Sequence, residues 1–287
     1  MNTGELLKQL NSQLKNDSTE LDAQIILAHS LGYPRTWLLG HLDAPLTAPQ
    51  IAATTQIFDE YQAGTPLPYI LGHWDFFGLE FDITKDVLIP RPETELLVEK
   101  AIAWLQASPE RRTIADVGTG SGAIAVSIAM HIPEAHILAT DISLAALQVA
   151  KHNAEKFKVL HQIDFVECDL LPESKVKGRN SDLRPLTFDL ICANPPYIPT
   201  KTLHQLPIFG REPTLALDGG ADGLDIYRRL FNVAPNWLAP HGRMLLEIES
   251  TLGVQALGLA YDAFSDVNIH LHQDLAGHDR LLEIMFI

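Results

Sequence analysis

A glycine-rich segment, DVGTGSG at residues 116–122, constrains the fold of this chain more than any other feature. It follows a short apolar run at residues 113–115 and precedes an apolar, helix-like run at residues 123–129. Glycines at alternate positions let the backbone turn sharply and approach a ligand closely beside a helix N-terminus. The segment therefore predicts a strand, a ligand-binding turn and a helix in an open α/β sheet.

An acidic residue follows at a distance that suits a ribose-binding carboxylate. Asp141 ends a second predicted strand, residues 136–140, roughly 20 residues after the glycines. Such a residue fits a ribose diol and indicates a cofactor that contains adenosine. The spacing Gly-x-Gly-x-Gly lacks the third glycine of the dinucleotide fingerprint, because Ala123 follows Gly122, and this favours a cofactor other than NAD.

A second motif, Asn194-Pro195-Pro196-Tyr197, follows an apolar strand predicted over residues 187–193. Ligands bind at the carboxyl ends of strands in open α/β proteins. The prolines remove backbone donors, so nearby carbonyls stay free to accept hydrogen bonds. The Asn194 oxygen and a backbone carbonyl can accept both hydrogens of a planar NH2 group, and the Tyr197 ring can cover its face. The alternative is a turn that simply ends a strand.

Together the motifs indicate an adenosine cofactor beside an amide-binding corner, which resembles the S-adenosylmethionine-dependent methyltransferases that modify planar NH2 groups. Six further segments occur in one order: PYILG at 68–72, LIPRPETE at 88–95, REP at 211–213, ALDGG at 216–220, DGL at 222–224 and YRRL at 227–230. With them, nearly the whole chain is similar to the protein-glutamine methyltransferases of the HemK/PrmC family. These enzymes methylate the Gly-Gly-Gln glutamine of peptide chain release factors. The PRPETE segment is the most specific part of the resemblance.

The resemblance implies an α/β fold, with an S-adenosylmethionine-dependent methyltransferase Rossmann-like sheet and a small N-terminal helical domain. It implies S-adenosyl-L-methionine as the cofactor and class I peptide chain release factors as the protein substrates. The methyl group would go to the side-chain amide nitrogen of the glutamine and so modulate translation termination. The cofactor-binding residues implied are Gly118, Thr119, Gly120, Ser121, Gly122, Asp141, Asp169, Leu170 and Asn194.

The resemblance also assigns the catalytic corner. Asn194, Pro195 and Tyr197 would be catalytic, and these three with Pro196 would bind the substrate. The Asn194 oxygen and the Pro195 carbonyl would accept the two N–H bonds, while Tyr197 packs against the amide plane. Related enzymes can have an aromatic residue at Leu170, so adenine stacking would be weaker here. Asp169 and Leu170 would flank the adenine.

Three charged residues of the family segments have two readings each. Arg91 and Glu93 could line the site entrance, but Glu93 and Thr94 could equally cap the following helix. Glu212 and the turn at residues 218–220 could help to hold the substrate peptide or be purely structural. Glu249 departs from the family, which often has glycine there, and no role is assigned to it.

The sequence predicts three parts. These are an N-terminal helical substrate-recognition domain at residues 1–64, a β-hairpin linker at residues 65–87 and a methyltransferase catalytic domain at residues 88–287. The alternative for the N-terminal helices is a packing appendage without a recognition role. In the first, Ser18 or Thr19 can cap a helix that Gly32 ends, and another helix begins near Pro49. In the linker, strand-like alternation on both sides of Gly78 predicts the hairpin.

Strands and helices then alternate from residue 88, which predicts a doubly wound sheet. The last two predicted strands, residues 267–271 and 281–286, are joined by a short connection that favours an antiparallel pair at one edge. Residues 172–186 are polar and are predicted to form a surface loop.

Composition limits the partners. The net charge is −15, from 21 basic and 36 acidic residues, and no basic run contains aromatic residues, so no direct nucleic-acid binding is expected. The twelve histidines and two cysteines offer no metal-ligand set at convincing spacing, so no metal is expected. A polar N-terminus and the lack of a long apolar run favour a cytoplasmic protein without a membrane segment. We expect it to act as a monomer.

Three rival functions stay open at this stage. A DNA adenine methyltransferase uses the same Asn-Pro-Pro-Tyr corner for a flipped base, but it would need a basic groove. A non-catalytic S-adenosylmethionine-binding or translation-associated module would fit a broken glycine loop or a missing Asn194, and this chain keeps both. A glutamine methyltransferase for another protein, such as a ribosomal one, is the third.

Overall fold

The computed structural model describes residues 1–14, 19–172 and 187–287. The chain divides into two compact units, Met1–His73 and Trp74–Ile287. The division falls inside the segment that the sequence analysis assigned to a linker, residues 65–87.

The first unit is helical and has its own apolar core. Its helices are α1 (Thr3–Gln13), α2 (Glu20–Leu31), α3 (Arg35–Gly40), α4 (Ala48–Gln62) and α5 (Leu67–Leu71). Fully or almost fully buried aliphatic and aromatic side chains fill the space between them: Leu6, Leu10, Ile26, Leu27, Leu38 and Phe58. Burial of apolar surface of this kind is the main stabilising contribution to a helical unit.

The ends of two helices agree with the sequence prediction. Thr19 caps α2 by accepting a hydrogen bond from the Asp22 N–H, and Gly32 ends the helix in the left-handed conformation at φ 69°. The other candidate cap, Ser18, lies outside the described residues. Helix α4 begins close to Pro49, with Thr47 as its N-cap.

The segment after residue 64 differs from the prediction in part. Residues 67–71 form the short helix α5 rather than a strand, because Pro68 lies in its first turn, where a fixed φ favours a helix. The hairpin itself is confirmed as β1 (His73–Phe76) and β2 (Leu79–Asp82). Phe77 and Gly78 form its turn with φ 51° and 71°, the left-handed values that a two-residue hairpin turn requires.

Across the described residues of the second unit, seven strands form one sheet in the order β5-β4-β3-β6-β7-β9-β8. They are β3 (Thr113–Val117), β4 (His136–Asp141), β5 (Ile163–Glu167), β6 (Phe188–Ala193), β7 (Leu238–Glu247), β8 (Val267–Gln273) and β9 (Asp279–Phe286). The first five are parallel, and β9 runs antiparallel to both β7 and β8. The predicted doubly wound sheet with an antiparallel pair at its edge is confirmed, and β9 lies between β7 and β8.

Helices accompany the sheet: α6 (Glu95–Ala107), α7 (Ala123–His131), α8 (Leu144–Lys156), α9 (Thr200–Leu203), α10 (Asp225–Val233) and α11 (Gly253–Ala263). Strand β3 has β4 on one side and β6 on the other, so the strand order reverses there. A reversal of this kind opens a crevice outside the carboxyl ends of the strands, where ligands bind. The glycine segment follows β3 and the Asn-Pro-Pro-Tyr motif follows β6, so both reach this crevice.

None of the described helices has the length and apolar character needed to cross a membrane. Except for Pro172, the polar segment predicted as a surface loop lies outside the described residues.

Candidate active site

A cavity lies at the carboxyl ends of β3, β4 and β6. It brings together most of the residues that the sequence analysis assigned to the cofactor and the substrate: Gly118, Thr119, Gly120, Ser121, Asp141, Asp169, Leu170, Asn194, Pro195 and Pro196. Two assigned residues, Gly122 and Tyr197, are not among those lining it. The described residues hold no group of three or more His, Cys, Asp or Glu side chains that could bind a metal ion.

The glycine loop has a backbone that only glycine adopts easily. Gly118, Gly120 and Gly122 have φ values of 74°, 56° and 82°. A Cβ at Gly118 or Gly120 would meet no atom within 4 Å, so space beside the loop backbone is left for a ligand. A Cβ at Gly122 would lie 3.2 Å from the Cα of Ala150, so Gly122 serves the packing of α7 on α8.

Asp141 joins this loop to the start of α8. Its Oδ2 accepts a hydrogen bond from the Gly120 N–H at 2.9 Å, and its Oδ1 accepts one from the Ser143 N–H at 2.9 Å. A carboxylate offers about four acceptor positions, so each oxygen retains a lone pair for a hydroxyl group. This geometry suits the ribose diol that the sequence analysis assigned to Asp141.

Asp169 and Leu170 line the cavity after β5. The Asp169 carboxylate forms an ion pair with the guanidinium of Arg229, which fixes one edge of the cavity. Leu170 has φ 62°, and its carbonyl accepts a hydrogen bond from the Thr140 hydroxyl at 2.6 Å. The side chain of Leu170 is aliphatic and can contact a flat ring by dispersion without aromatic stacking.

Asp116 contacts the glycine loop without lining the cavity, and the sequence analysis assigned it no role. It is fully buried beneath the glycine loop, and its Oδ2 accepts hydrogen bonds from the Thr119 hydroxyl at 2.6 Å and the Ala125 N–H at 3.1 Å. Its Oδ1 has no hydrogen-bond partner within the described residues. Burial raises the pKa of this carboxyl to about 7. The sequence feature that could have identified Asp116 is its position as the first residue of the glycine motif.

The raised pKa of Asp116 predicts a pH effect on stability. The folded state holds the Asp116 proton up to about pH 7, whereas the unfolded chain releases it near pH 3.8. Protonation of Asp116 therefore stabilises the folded state fully below pH 3.8, and this contribution to the free energy of unfolding is lost as the pH rises towards 7. Asp116→Asn removes the titrating group. In urea unfolding from pH 4 to 7, the free energy of unfolding of the wild type should therefore fall relative to Asp116→Asn by a few kcal/mol. The exposed Asp262→Asn is the control, and equal pH dependence in both variants would contradict the prediction.

The Asn194 side chain has a fixed partner on one side. Its Nδ2 donates a hydrogen bond to the Thr94 hydroxyl oxygen at 3.1 Å. No described residue donates a hydrogen bond to the Asn194 Oδ1 or to the carbonyl oxygen of Pro195. The motif thus presents two acceptors without a protein donor, which is what an NH2 group requires.

Tyr197 lies against the apolar core of the second unit rather than in the cavity wall. Its hydroxyl donates a long hydrogen bond, 3.5 Å, to the Oε1 of Glu247, and burial raises the pKa of the Tyr197 phenol. Glu247 is 2% exposed, and burial raises its carboxyl pKa to about 7. The available signal in the sequence was an acidic residue directly after the apolar run at residues 244–246.

Of Arg91, Glu93 and Glu212, the residues with two readings, Arg91 lines the cavity and the other two do not. Thr94 is the N-cap residue of α6, but neither Thr94 nor Glu93 makes a side-chain capping hydrogen bond to the helix. Arg91 lines the cavity and donates a hydrogen bond to the Glu212 carboxylate at 2.6 Å. Glu212 is 8% exposed and also accepts a hydrogen bond from the Ile89 N–H at 3.2 Å, so it joins two loops at the cavity.

The turn at residues 218–220 packs behind the Asn-Pro-Pro-Tyr motif. The Gly219 N–H donates a hydrogen bond to the Ile198 carbonyl at 2.9 Å, and the Ile198 N–H donates one to the Leu217 carbonyl at 3.0 Å. Asp218 accepts hydrogen bonds from the Thr200 hydroxyl and the Gly220 N–H. These contacts favour the structural reading of the turn.

Two family models match parts of this chain. Residues 5–72 match the family model of the PrmC N-terminal domain, and residues 92–206 match that of the methyltransferase small domain. The fold, the glycine loop and the second of these matches define a methyltransferase.

The similarity to whole proteins is more specific. The chain is 42% identical to the release factor glutamine methyltransferase of Moorella thermoacetica, over 91% of this chain and 89% of that protein. It is 33% identical to the enzyme of that name in Bacillus anthracis, over 98% of both chains. The chain belongs to the release factor glutamine methyltransferase family.

Solved structures support the fold alone. The hMettl16 catalytic domain, in complex with a 3′UTR hairpin, is 15% identical with a TM-score of 0.52, over 86% of this chain and 85% of that one. The delta-N METTL16 methyltransferase domain is 19% identical with a TM-score of 0.51, over 73% and 89%. Such low identities leave the substrate to be argued from the site.

Proposed function

We propose that this chain transfers a methyl group from S-adenosyl-L-methionine to the side-chain amide nitrogen of the glutamine in the Gly-Gly-Gln motif of class I peptide chain release factors, and so modulates translation termination. The observation that carries the proposal is the pair of acceptors, the Asn194 Oδ1 and the Pro195 carbonyl, that no described residue engages. They lie in the cavity that the glycine loop also lines. The names of the relatives supply the substrate class.

The residues present fit the cofactor. The loop at residues 118–122 lets a ligand approach the backbone, Asp141 has lone pairs for the ribose hydroxyls, and Asp169 with Leu170 would flank the adenine. Asn194 lines the same cavity and would also contact the cofactor. When bound, S-adenosylmethionine supplies a methyl group that is already activated on a cationic sulfur.

The protein contributes positioning and charge placement. A carboxamide nitrogen is a poor nucleophile because its lone pair is delocalised into the carbonyl. Acceptance of both N–H bonds by Asn194 and Pro195 would orient the nitrogen and stabilise the positive charge that develops on it. Pro196 lines the same cavity. Tyr197 lies outside the cavity lining, and its contact with Glu247 would help to fix the backbone of the motif.

A methyl-transfer assay tests the proposal against its rivals. Labelled S-adenosylmethionine is offered with a purified class I release factor, the same factor with Gly-Gly-Ala in place of Gly-Gly-Gln, and duplex DNA. We expect label on the intact factor alone. Label on DNA, or equal label on the alanine variant, would refute the proposed substrate. The net charge of −15 already argues against a duplex substrate.

Further aspects of the proposal concern the whole chain. The N-terminal helical domain, residues 1–64 in the sequence prediction, would recognise the release factor, and residues 88–287 would carry the chemistry. The chain would act as a monomer in the cytoplasm, where its substrate functions, without direct nucleic-acid binding. Size-exclusion chromatography with light scattering measures the molar mass in solution and so tests whether the chain is a monomer.

Asp141→Asn is expected to weaken the binding of S-adenosylhomocysteine by roughly 10- to 100-fold, because hydrogen bonds to a charged acceptor contribute more than those to a neutral one. Calorimetric titration measures the affinity. Asp274→Asn is the matched control, since Asp274 likewise accepts backbone N–H bonds in a turn, from Ala276 and His278. It should leave the affinity unchanged, and an equal loss in both variants would contradict the assignment.

A further inference from the structure

Two buried side chains connect Asn194 to the end of β7, and one of them, Thr94, also lines the cavity. Thr94 is 5% exposed and Glu247 is 2% exposed. The hydroxyl oxygen of Thr94 lies 2.5 Å from the Oε2 of Glu247 and 3.1 Å from the Nδ2 of Asn194. The three side chains form a hydrogen-bonded row that runs from the end of β7, through the 3-10 turn before α6, to the cavity wall.

The direction of the hydrogen bonds in this row follows from the donors that are available. A threonine hydroxyl has one proton to donate, and an ionised carboxylate can only accept. The Thr94 proton must therefore point to Glu247, which leaves the lone pairs of Thr94 facing Asn194. Only the NH2 end of the Asn194 amide can satisfy them, so its Oδ1 is turned away from Thr94.

The same direction holds when Glu247 carries a proton on its Oε1, the oxygen that faces Tyr197. Burial is the largest cause of its raised pKa, and Glu93 adds to the rise, while Thr94, Tyr197 and Arg280 oppose it. The Oε2 has the shorter contact, with Thr94, whereas the Oε1 faces the Tyr197 hydroxyl at 3.5 Å. A proton on the Oε1 leaves the Oε2 free to accept from Thr94.

We propose that Thr94 and Glu247 are positioning residues that lock the amide of Asn194 with its oxygen available to a substrate NH2 group. The inference rests on the proposed function. If the amide rotated by half a turn, its Nδ2 would face the glutamine NH2, and two donors would meet without an acceptor. A buried donor that loses its partner is destabilised by its full desolvation cost, so the rotated form could not hold the substrate nitrogen.

The test compares three threonine variants at saturating release factor. Thr94→Val keeps the shape but removes the hydroxyl, and we expect kcat to fall by roughly 10- to 100-fold, the scale expected when a reacting group loses its orientation. Thr94→Ser restores the hydroxyl and should return kcat to within about threefold of the wild type. The affinity for S-adenosylhomocysteine should stay unchanged in both variants.

Thr113→Val is the matched control. The Thr113 hydroxyl also donates to a carboxylate, the Asp189 Oδ2 at 2.7 Å, and accepts an N–H bond from Asp189 at 3.2 Å, but at the opposite end of β3. This variant should lose thermal stability and keep the wild-type kcat. An equal fall of kcat in Thr113→Val would show that loss of a threonine hydroxyl acts through general stability.

Each outcome bears on one claim. If the wild type labels the intact release factor and Thr94→Val is equally active, the positioning role is refuted while the proposed function stands. Equal losses of kcat in Thr94→Val and Thr94→Ser would also refute the positioning role, because they would show that the packing of the threonine side chain matters rather than its hydroxyl. Failure of the wild type to label the intact factor refutes the proposed function itself.

Glu247→Gln gives a second measurement if Thr94→Val does not fold. The Gln amide can offer Thr94 either its oxygen or its NH2 group, so both orientations of Asn194 become available. We expect kcat to fall by about 2- to 10-fold while the affinity for S-adenosylhomocysteine stays unchanged. This loss is smaller than that of Thr94→Val because the productive orientation of Asn194 is still populated. A wild-type kcat in Glu247→Gln would refute the role of Glu247.

Discussion

Asn194→Ala is expected to lower kcat for release factor methylation by roughly 100- to 1000-fold, the loss typical when one preorganised hydrogen-bonding group is removed from a reacting centre. The variant loses the Oδ1 that would accept one N–H bond of the substrate and stabilise the charge developing on its nitrogen. The acceptor at Pro195 is part of the backbone and remains. Steady-state methyl transfer from labelled S-adenosylmethionine measures the effect.

Two controls separate this loss from a change in folding. Asn268→Ala makes the same substitution at an exposed position of β8 and should keep full activity. Asn194→Ala itself should keep a cooperative thermal transition and bind S-adenosylhomocysteine within a few-fold of the wild type, because the glycine loop and Asp141 are intact. Undiminished kcat in Asn194→Ala would remove Asn194 from the chemistry.

Gly219→Ala is expected to reduce methyl transfer by about 100-fold or more, since a displacement of about 1 Å at a reacting group can cost this much. A Cβ at Gly219 would lie 2.7 Å from the Cα of Tyr197, 2.8 Å from the Cα of Gly223 and 2.8 Å from the carbonyl oxygen of Pro196. All three are backbone atoms, so no side-chain rotation can relieve the overlap. The Asn-Pro-Pro-Tyr segment or the turn behind it must move.

Thermal unfolding and kcat should both fall in this variant. Gly258→Ala is the matched control, because Gly258 lies inside α11 and a Cβ there would meet no atom within 4 Å. It should leave kcat unchanged and raise stability by up to about 1 kcal/mol, since alanine favours a helix more than glycine does. A wild-type kcat in Gly219→Ala would show that the Asn-Pro-Pro-Tyr motif keeps its activity when the turn at residues 218–220 is displaced.

Features with a local signal could be predicted from the sequence. The glycine loop was recognised because its turn needs left-handed φ values at Gly118, Gly120 and Gly122, and these are the φ values found. Gly78 marked the hairpin turn for the same reason. The alternation of apolar runs predicted the parallel strands, since each run is short and bounded by turn residues.

Features that depend on distant pairing could not be predicted. Thr94 and Glu247 are 153 residues apart, and Arg91 and Glu212 are 121 apart, so no local pattern links them. The capping reading of Thr94 could not be decided from the sequence, because its hydroxyl contacts Glu247 and Asn194 instead of the first turn of α6. Helix α5 was missed because alternating apolar residues suggested a strand. In both cases a tertiary contact or a proline outweighed the local pattern.

The position of β9 has a consequence for synthesis on the ribosome. Strand β7, which carries Glu247, pairs with β6 on one side and with Asp279–Phe286 on the other. A nascent chain that has emerged only as far as β8 therefore presents β7 as an open edge, with its backbone N–H and C=O groups unpaired and ready to join another chain. The sheet beside the Asn-Pro-Pro-Tyr motif is therefore completed only when Asp279–Phe286 has been inserted between two strands that were made before it.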